Sequence, residues 1–462
     1  MSELRKDSLS FLEALGQSVA NVSPTLTPAL GVAVVAGMAG TGSWLVFSLC
    51  TVALIMVAQN IAELAGRIPA AGSFFIYVSR SLGPVWGVLA GWAMLAAYIF
   101  TAMALTIATS LFVKTFFSSL GFTLAIPNVA LYIIISGLVW LFATRDIRIS
   151  SRIGLALEAI SVTIILAVMV VTFAHYHFAP DTTQLTLHGA SAGGITQAIV
   201  FAIFSFVGFE SAASLGKETK NPHTTIPKAI IGTAIFSGIF FTITTYAITQ
   251  GFGDNGTNLG NSSAPLGDIT SRISPWLTAP VYFGATVSSF ACALASLNAF
   301  GRMLFSLGRY QFVHNSMGLV RKTHKTPFMA LTAGIVLNLA VCAAFAGQAE
   351  TNTYGWYGTL ASYGFITVYL LCSIAAPVFL KRSGELKPLH LVYGVAGVLF
   401  MLFALGGSVY PVPAAPYNYF PYAFAAYLLI GFAWFSFVKR RSPQVLDGID
   451  RDLETAAVAI DA

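Results

Sequence analysis

Asn21-Val22-Ser23-Pro24-Thr25-Leu26-Thr27-Pro28-Ala29-Leu30-Gly31 lies inside an apolar block that runs over residues 18–41. A block of that length and polarity reads as a helix crossing a bilayer. Its two prolines each remove a backbone donor and oppose continuous helix. A second interrupted stretch, Phe204-Ser205-Phe206-Val207-Gly208-Phe209-Glu210-Ser211, falls in the block over residues 194–215. Counted along the chain these are the first and sixth blocks, so they open two successive sets of five. Interrupted helices at matching places in two halves mark a binding site near the bilayer midplane.

The rest of the chain supports that reading. Of its 462 residues 56% are hydrophobic and only 9% charged, against about 25% charged in a soluble globular domain. Twelve apolar blocks are legible, near residues 18–41, 43–64, 84–113, 128–143, 153–174, 194–215, 228–250, 276–306, 327–347, 354–380, 390–408 and 421–438. In lipid each must be helical, because a helix satisfies its own backbone groups. With the N-terminus inside, every Lys and Arg except Lys114 and Arg272 falls on an inner segment, as positive charge does on cytoplasmic loops. The fold expected is therefore an all-α membrane protein of twelve transmembrane helices, with broken helices 1 and 6 and both termini cytoplasmic. The Met1–Gln17 stretch lacks a cleavable signal pattern, so the first span serves as the membrane address. The outer connection Gly251–Pro275, rich in Gly, Asn and Ser, reads as a loop.

Several function classes drop out. The net charge of +6 is scattered in short patches between apolar blocks, which fits membrane topology and not nucleic-acid binding. There is no phosphate-binding Gly-x-x-x-x-Gly-Lys-[Ser/Thr] run and no His-Glu-x-x-His run. The seven histidines sit in loops or at span ends, so neither a metal site nor a catalytic pair is visible. Cys50, Cys292, Cys342 and Cys372 fall inside apolar blocks and read as buried thiols. The carboxylates Glu63, Glu158 and Glu210 lie within or against spans, where an acid is costly and points to a role. Glu158, about 8 Å into its span, reads as reaching the inner interface or pairing with a nearby Arg. Glu210 lies beside the break in span 6.

Glu63-Leu64-Ala65-Gly66-Arg67-Ile68-Pro69-Ala70-Ala71-Gly72-Ser73-Phe74, Phe206-Val207-Gly208-Phe209-Glu210, Lys217-Glu218-Thr219-Lys220-Asn221-Pro222 with Ile226-Pro227-Lys228-Ala229-Ile230, and Leu297-Asn298-Ala299-Phe300-Gly301-Arg302 are the most distinctive motifs. Together they resemble the amino acid permeases of the amino acid–polyamine–organocation superfamily, over nearly the whole chain. The resemblance implies a five-plus-five inverted repeat and alternating access, hence a secondary active transporter and no enzyme. The chain departs from many relatives in span 1, where Ser23-Pro24-Thr25 and Pro28 stand in place of a glycine-rich break. It also has no lysine in span 5, where some relatives place one near an ion site.

The organisation expected is a cytoplasmic segment 1–17, a ten-helix transport core 18–380, helices 11 and 12 over 381–438, and a cytoplasmic tail 439–462. The substrate site is expected at Ser23, Pro24, Thr25, Leu26 and Thr27 facing Phe204, Ser205, Val207 and Gly208, and the resemblance implies Phe204 as an aromatic lid. Freed N–H groups and a half-helix end suit a carboxylate, and freed carbonyls suit an ammonium group. Glu210 is the candidate for proton coupling or gating, and Ser288 and Ser289 for an ion site. Ile68–Gly72 and Lys217–Pro222 are the candidate inner gating segments. No cofactor is expected beyond a proton or sodium gradient. The partners are the bilayer and a small substrate, an amino acid with a neutral side chain, because spans 3 and 10 add no further acid. A polyamine or other organic cation is the alternative, and a channel a remoter one.

Overall fold

The computed structural model describes residues 9–68, 73–145, 147–216, 219–320 and 326–441. Among them helices dominate and no strand forms; the single β-bridge joins Leu9 to Thr219. The helices are α1 (Phe11–Val22), α2 (Val32–Ala39), α3 (Ser43–Arg67), α4 (Ser73–Leu82), α5 (Pro84–Ser119), α6 (Asn128–Ala143), α7 (Ile147–His175), α8 (Thr182–Leu185) and α9 (Ala192–Phe206). They continue with α10 (Pro222–Gly251), α11 (Gly256–Gly260), α12 (Pro265–Ile273), α13 (Thr278–Arg309), α14 (Phe328–Ala344), α15 (Glu350–Arg382), α16 (Pro388–Gly407) and α17 (Phe420–Arg441).

Among the described residues eight helical stretches are long and apolar enough to cross a membrane. The first, Phe11–Arg67, runs through both the first and second expected blocks. Three shorter apolar helices, α6, α9 and α14, coincide with expected spans 4, 6 and 9. At the centre α5 packs along α13 and α15, while α10 lies along α3. On α16 and α17, Leu399, Leu429 and Ile430 are exposed. So much bare apolar surface would promote aggregation in water, whereas lipid tails are as apolar as the side chains themselves. All four cysteines are free and buried, as the sequence implied.

Two expectations need correction. The outer connection Gly251–Pro275 is not a plain loop, for it folds into α11 and α12. Asn255 caps α11 by accepting from Asn258 N–H at 2.9 Å, and Pro265 supplies a first-turn residue that needs no donor. A Cβ on Gly260 would stand 2.6 Å from Gly37 Cα, and one on Gly256 2.6 Å from Gly40 Cα, so α11 lies directly on the backbone of α2. The break in span 1 is also narrower than expected. It covers Ser23–Thr25 only, since Thr27–Gly31 forms a π-helical turn that accepts Pro28 at its start.

The two basic residues that escape the inner segments both have partners. Lys114 pairs with Glu350 at 2.9 Å and donates to Asn128. Arg272 donates to the Gly251 carbonyl at the end of α10, at 3.1 Å, and lies over the Phe252 ring. At the other end of the bundle Arg67 pairs with Glu63 and with Glu385, the latter at 2.6 Å. His223 Nδ1 lies 2.7 Å from the Gly66 carbonyl. Of the candidate gating segments, Pro69–Gly72 and Lys217–Glu218 lie outside the described residues.

Candidate functional site

Span 1 breaks where α1 ends. Ser23 takes a left-handed conformation with φ 49°, and its N–H still closes onto the Val19 carbonyl at 3.0 Å. Pro24 has no N–H to give. The next donor, Thr25 N–H, therefore turns away from the helix and bonds the Glu158 carboxylate at 3.0 Å, joined by its own hydroxyl at 2.9 Å. Glu158 is thus buried at the span 1 break, and among the described residues its partner is Thr25 and not an Arg. It is 1% exposed and holds the span 1 break from α7.

Span 6 breaks after α9. Gly208 has φ +107°, and a Cβ there would come within 2.6 Å of the Asn21 carbonyl carbon. Only glycine serves both demands, the left-handed backbone and the close approach. The two breaks therefore touch, Gly208 against Asn21. Further bonds bind the halves: Ser211 donates to the Gln17 carbonyl at 3.1 Å, and Ala212 N–H donates to Ser18 Oγ at 3.0 Å. Asn21 is also held by α13, its carbonyl by Cys292 and its amide oxygen by Ser296 at 3.0 Å.

Glu210 closes the lower side of this centre. Its Oε2 accepts from Gly208 N–H at 3.1 Å and from Tyr369 OH at 2.8 Å, and the Tyr98 hydroxyl lies beside the same carboxyl. At a helix break the freed N–H and a neighbouring hydroxyl replace the water donors that a buried acid has lost, which is how buried acids are tolerated. Oε1 of Glu210 and Oε2 of Glu158 have no partner of good hydrogen-bond geometry, although the hydroxyls of Tyr98 and Ser288 stand beside the respective carboxyls. Tyr98, Tyr369 and Asn21 were not singled out by sequence, because nothing local distinguishes them from other polar residues in spans.

The expected site residues are brought together, with one exception. Ser23, Pro24, Thr25, Leu26, Thr27, Phe204, Ser205, Val207 and Gly208 are all buried around the two breaks. Phe204 lies against Tyr354 with ring centroids 6.1 Å apart, and a Cβ on Gly358 of α15 would sit 2.9 Å from it. Ser288 joins the span 1 break through a 2.6 Å contact between its hydroxyl and that of Ser23. Ser289, one residue on, points to α5 instead, where its hydroxyl lies 2.9 Å from Thr109 Oγ1.

A model of the amino acid permease family matches residues 14–445, which spans both breaks and every helix that frames them. The chain belongs to the amino acid permease family. With its apolar helices, that makes this permease an integral membrane transporter and not an enzyme. It is 27% identical over 432 residues to an uncharacterized transporter of Mycobacterium tuberculosis, covering 90% of this chain and 91% of the relative. The branched-chain amino acid permease BcaP of Bacillus subtilis is 23% identical over 384 residues, covering 79% and 81%. The low-affinity putrescine importer PlaP of Escherichia coli is 24% identical over 351 residues, covering 73% and 75%.

Proposed function

We propose that this permease moves a neutral amino acid across the cytoplasmic membrane as a symporter or exchanger, by alternating access. It does so with twelve spans, both termini cytoplasmic, and a five-plus-five inverted repeat over residues 18–380. The substrate sits where the breaks meet, against Ser23–Thr27 and Phe204–Gly208. Its amino group faces the carbonyls freed after Phe204, and Phe204 covers it. Glu210 serves the span 6 break as the coupling or gating carboxyl, driven by a proton or sodium gradient.

The observation that carries this reading is the contact of the two breaks, Gly208 on Asn21, inside a wholly buried set of side chains. A site that touches both interrupted helices can be opened to one side by moving either half. The branched-chain specificity in the name of one relative favours an amino acid.

A second reading has its own support. Two buried carboxyls, Glu158 and Glu210, stand at the breaks, each with an oxygen that lacks a partner of good hydrogen-bond geometry, and another relative is named as a putrescine importer. Such a site suits an organic cation. A thermal-shift screen of the purified protein against amino acids and polyamines separates the two readings. The stabilising ligand should lose at least tenfold in affinity in Thr25→Trp, whose indole would fill the break. Unchanged affinity in folded Thr25→Trp would move the site elsewhere.

A further inference from the structure

Lys114 is one of the two basic residues that fall outside the inner segments. Its ammonium group pairs with Glu350, in the first turn of α15, at 2.9 Å. Lys114 also donates to the Asn128 side chain, which in turn donates to the Ala346 carbonyl at 3.4 Å. The Tyr132 hydroxyl donates to the other oxygen of Glu350, again at 3.4 Å. These bonds tie the first turn of α15 to α5 and α6. The next two turns of α15 carry the surface on which Phe204 rests. We propose that the Lys114–Glu350 pair positions the Phe204 lid: it fixes the start of α15, and α15 holds the ring over the substrate site through Tyr354 and Gly358.

The path from pair to lid is short. Residues 350, 354 and 358 are spaced four apart, so they follow one side of α15 over about 12 Å of its axis. Tyr354 has its ring centroid 6.1 Å from that of Phe204 and 5.8 Å from that of Phe201. A Cβ on Gly358 would stand 2.9 Å from both phenyl rings, so the two rings lie against bare helix backbone. Phe201, Phe204 and Tyr354 are all buried. In so close a fit a displaced helix carries the rings with it, because a packed interior has no slack to absorb the shift. Glycine at 358 and tyrosine at 354 thereby make Phe204 answer to where α15 stands.

The pair is strong enough to set that position. Only 9% of the Glu350 side chain and 24% of the Lys114 side chain are exposed, so water and salt screen these charges less than they screen a surface pair. Glu350 also lies at the positive end of its own helix. Removing either charge leaves the other partly buried and uncompensated, and α15 must shift for that charge to find water. A pair that served stability alone would alter melting and nothing else. A pair that positions the lid also alters how often the site beneath Phe204 is reached.

The inference rests on Phe204 as the lid of the site, and the test keeps that reading apart from the pair. The whole chain is purified in nanodiscs with Ser205→Cys. This puts a thiol next to Phe204, where the Ser205 hydroxyl lies 3.6 Å from the Cβ position of Gly31. The rate of its reaction with N-ethylmaleimide is read, with thermal unfolding beside it. The native cysteines are buried, and the chain without Ser205→Cys supplies the blank. No ligand is needed, so the result stands whichever substrate the permease carries. Phe204→Ala should speed the reaction several-fold. Lys114→Met and Glu350→Met should each speed it several-fold too, and the double variant no more than the faster single, as for one shared interaction. Lys114→Arg, which keeps the charge, should stay at the parent's rate. If Phe204→Ala leaves the rate unchanged, the lid reading fails and the proposal falls with it. If Phe204→Ala is fast while both charge variants keep the parent's rate, the proposal is overturned and the lid stands, even where melting drops. Additive effects in the double variant overturn it, because the two residues then act apart. A rate raised as much in Lys114→Arg as in Lys114→Met overturns it as well. Should one single variant not fold, the other decides alone.

Discussion

Glu210 accepts both its bonds on Oε2, and the amide oxygen of Gln can accept the same two without the charge. A hydrogen bond to an ionised group contributes about 1.5–3 kcal/mol against about 1 kcal/mol for a neutral one, so weakening two such bonds by about 1 kcal/mol each changes a rate or equilibrium by more than tenfold. Glu210→Gln is expected to slow uptake at least tenfold while ligand affinity stays within about threefold. A rate that no longer varies with pH would assign coupling to Glu210, and a lower rate with the parent's pH profile would assign gating. Full rate with the parent's profile would contradict both roles. At this scale the sequence was informative where chemistry is local. Gly208 and Glu210 stood out because a glycine and an acid interrupt an apolar run. Glu158 was misjudged because its partner, Thr25, is 133 residues away in sequence. Ser288 and Ser289 could not be told apart, since one residue of helix rotation decides which faces α1.

Among elements, the join between α7, α8 and α10 lies outside the spans and answers to pH. Asp181 N–H donates to Tyr246 OH at 2.6 Å, and Gln184 donates to the Asp181 carboxyl at 2.6 Å and to the Tyr246 carbonyl at 3.0 Å. Asp254, just after α10, shares a hydrogen bond with Asp181, and burial together with that neighbour pushes its carboxyl up to about 7 from the usual 3.8. Asp181 is held low, against its own burial, by bonds from Asp254, Gln184 and the Thr183 backbone. The sign follows from proton binding. Between pH about 4 and about 7 the folded chain holds a proton at Asp254 that the unfolded chain has lost, so this stabilisation is complete at the low end and disappears as pH rises through about 7. Asp254→Asn needs no proton. It should melt higher than the parent at about pH 8 and lose this part of the pH slope; equal slopes in thermal unfolding would contradict the shared proton. Neither aspartate was legible as a pair, because α11 and α12 were read as loop. Their capping signals, Asn255 and Pro265, were present but were outweighed by Gly and Ser content.

For the whole molecule, the helical architecture was written in hydropathy. Every expected apolar block is occupied by helix, because a chain this apolar has no other way to satisfy its backbone in lipid. The proposed orientation rests on Lys and Arg placement, with Lys114 and Arg272 as exceptions whose partners are Glu350 and backbone carbonyls. Single cysteines at the exposed positions Asn258 and Ser383 test it. An impermeant thiol reagent applied to intact cells should label the first and spare the second, and equal labelling would reverse or dissolve the assigned topology. What the sequence could not supply was the meeting of the two halves, since Gly208 and Asn21 touch only after α1 and α9 have been brought together by the rest of the bundle.

The central claim, that the two breaks form one carrier site, is tested most directly by counterflow in proteoliposomes loaded with unlabelled amino acid. The account predicts saturable entry of the labelled amino acid, accelerated several-fold by the same amino acid inside. Flux that rises linearly with concentration and ignores the internal amino acid would contradict it.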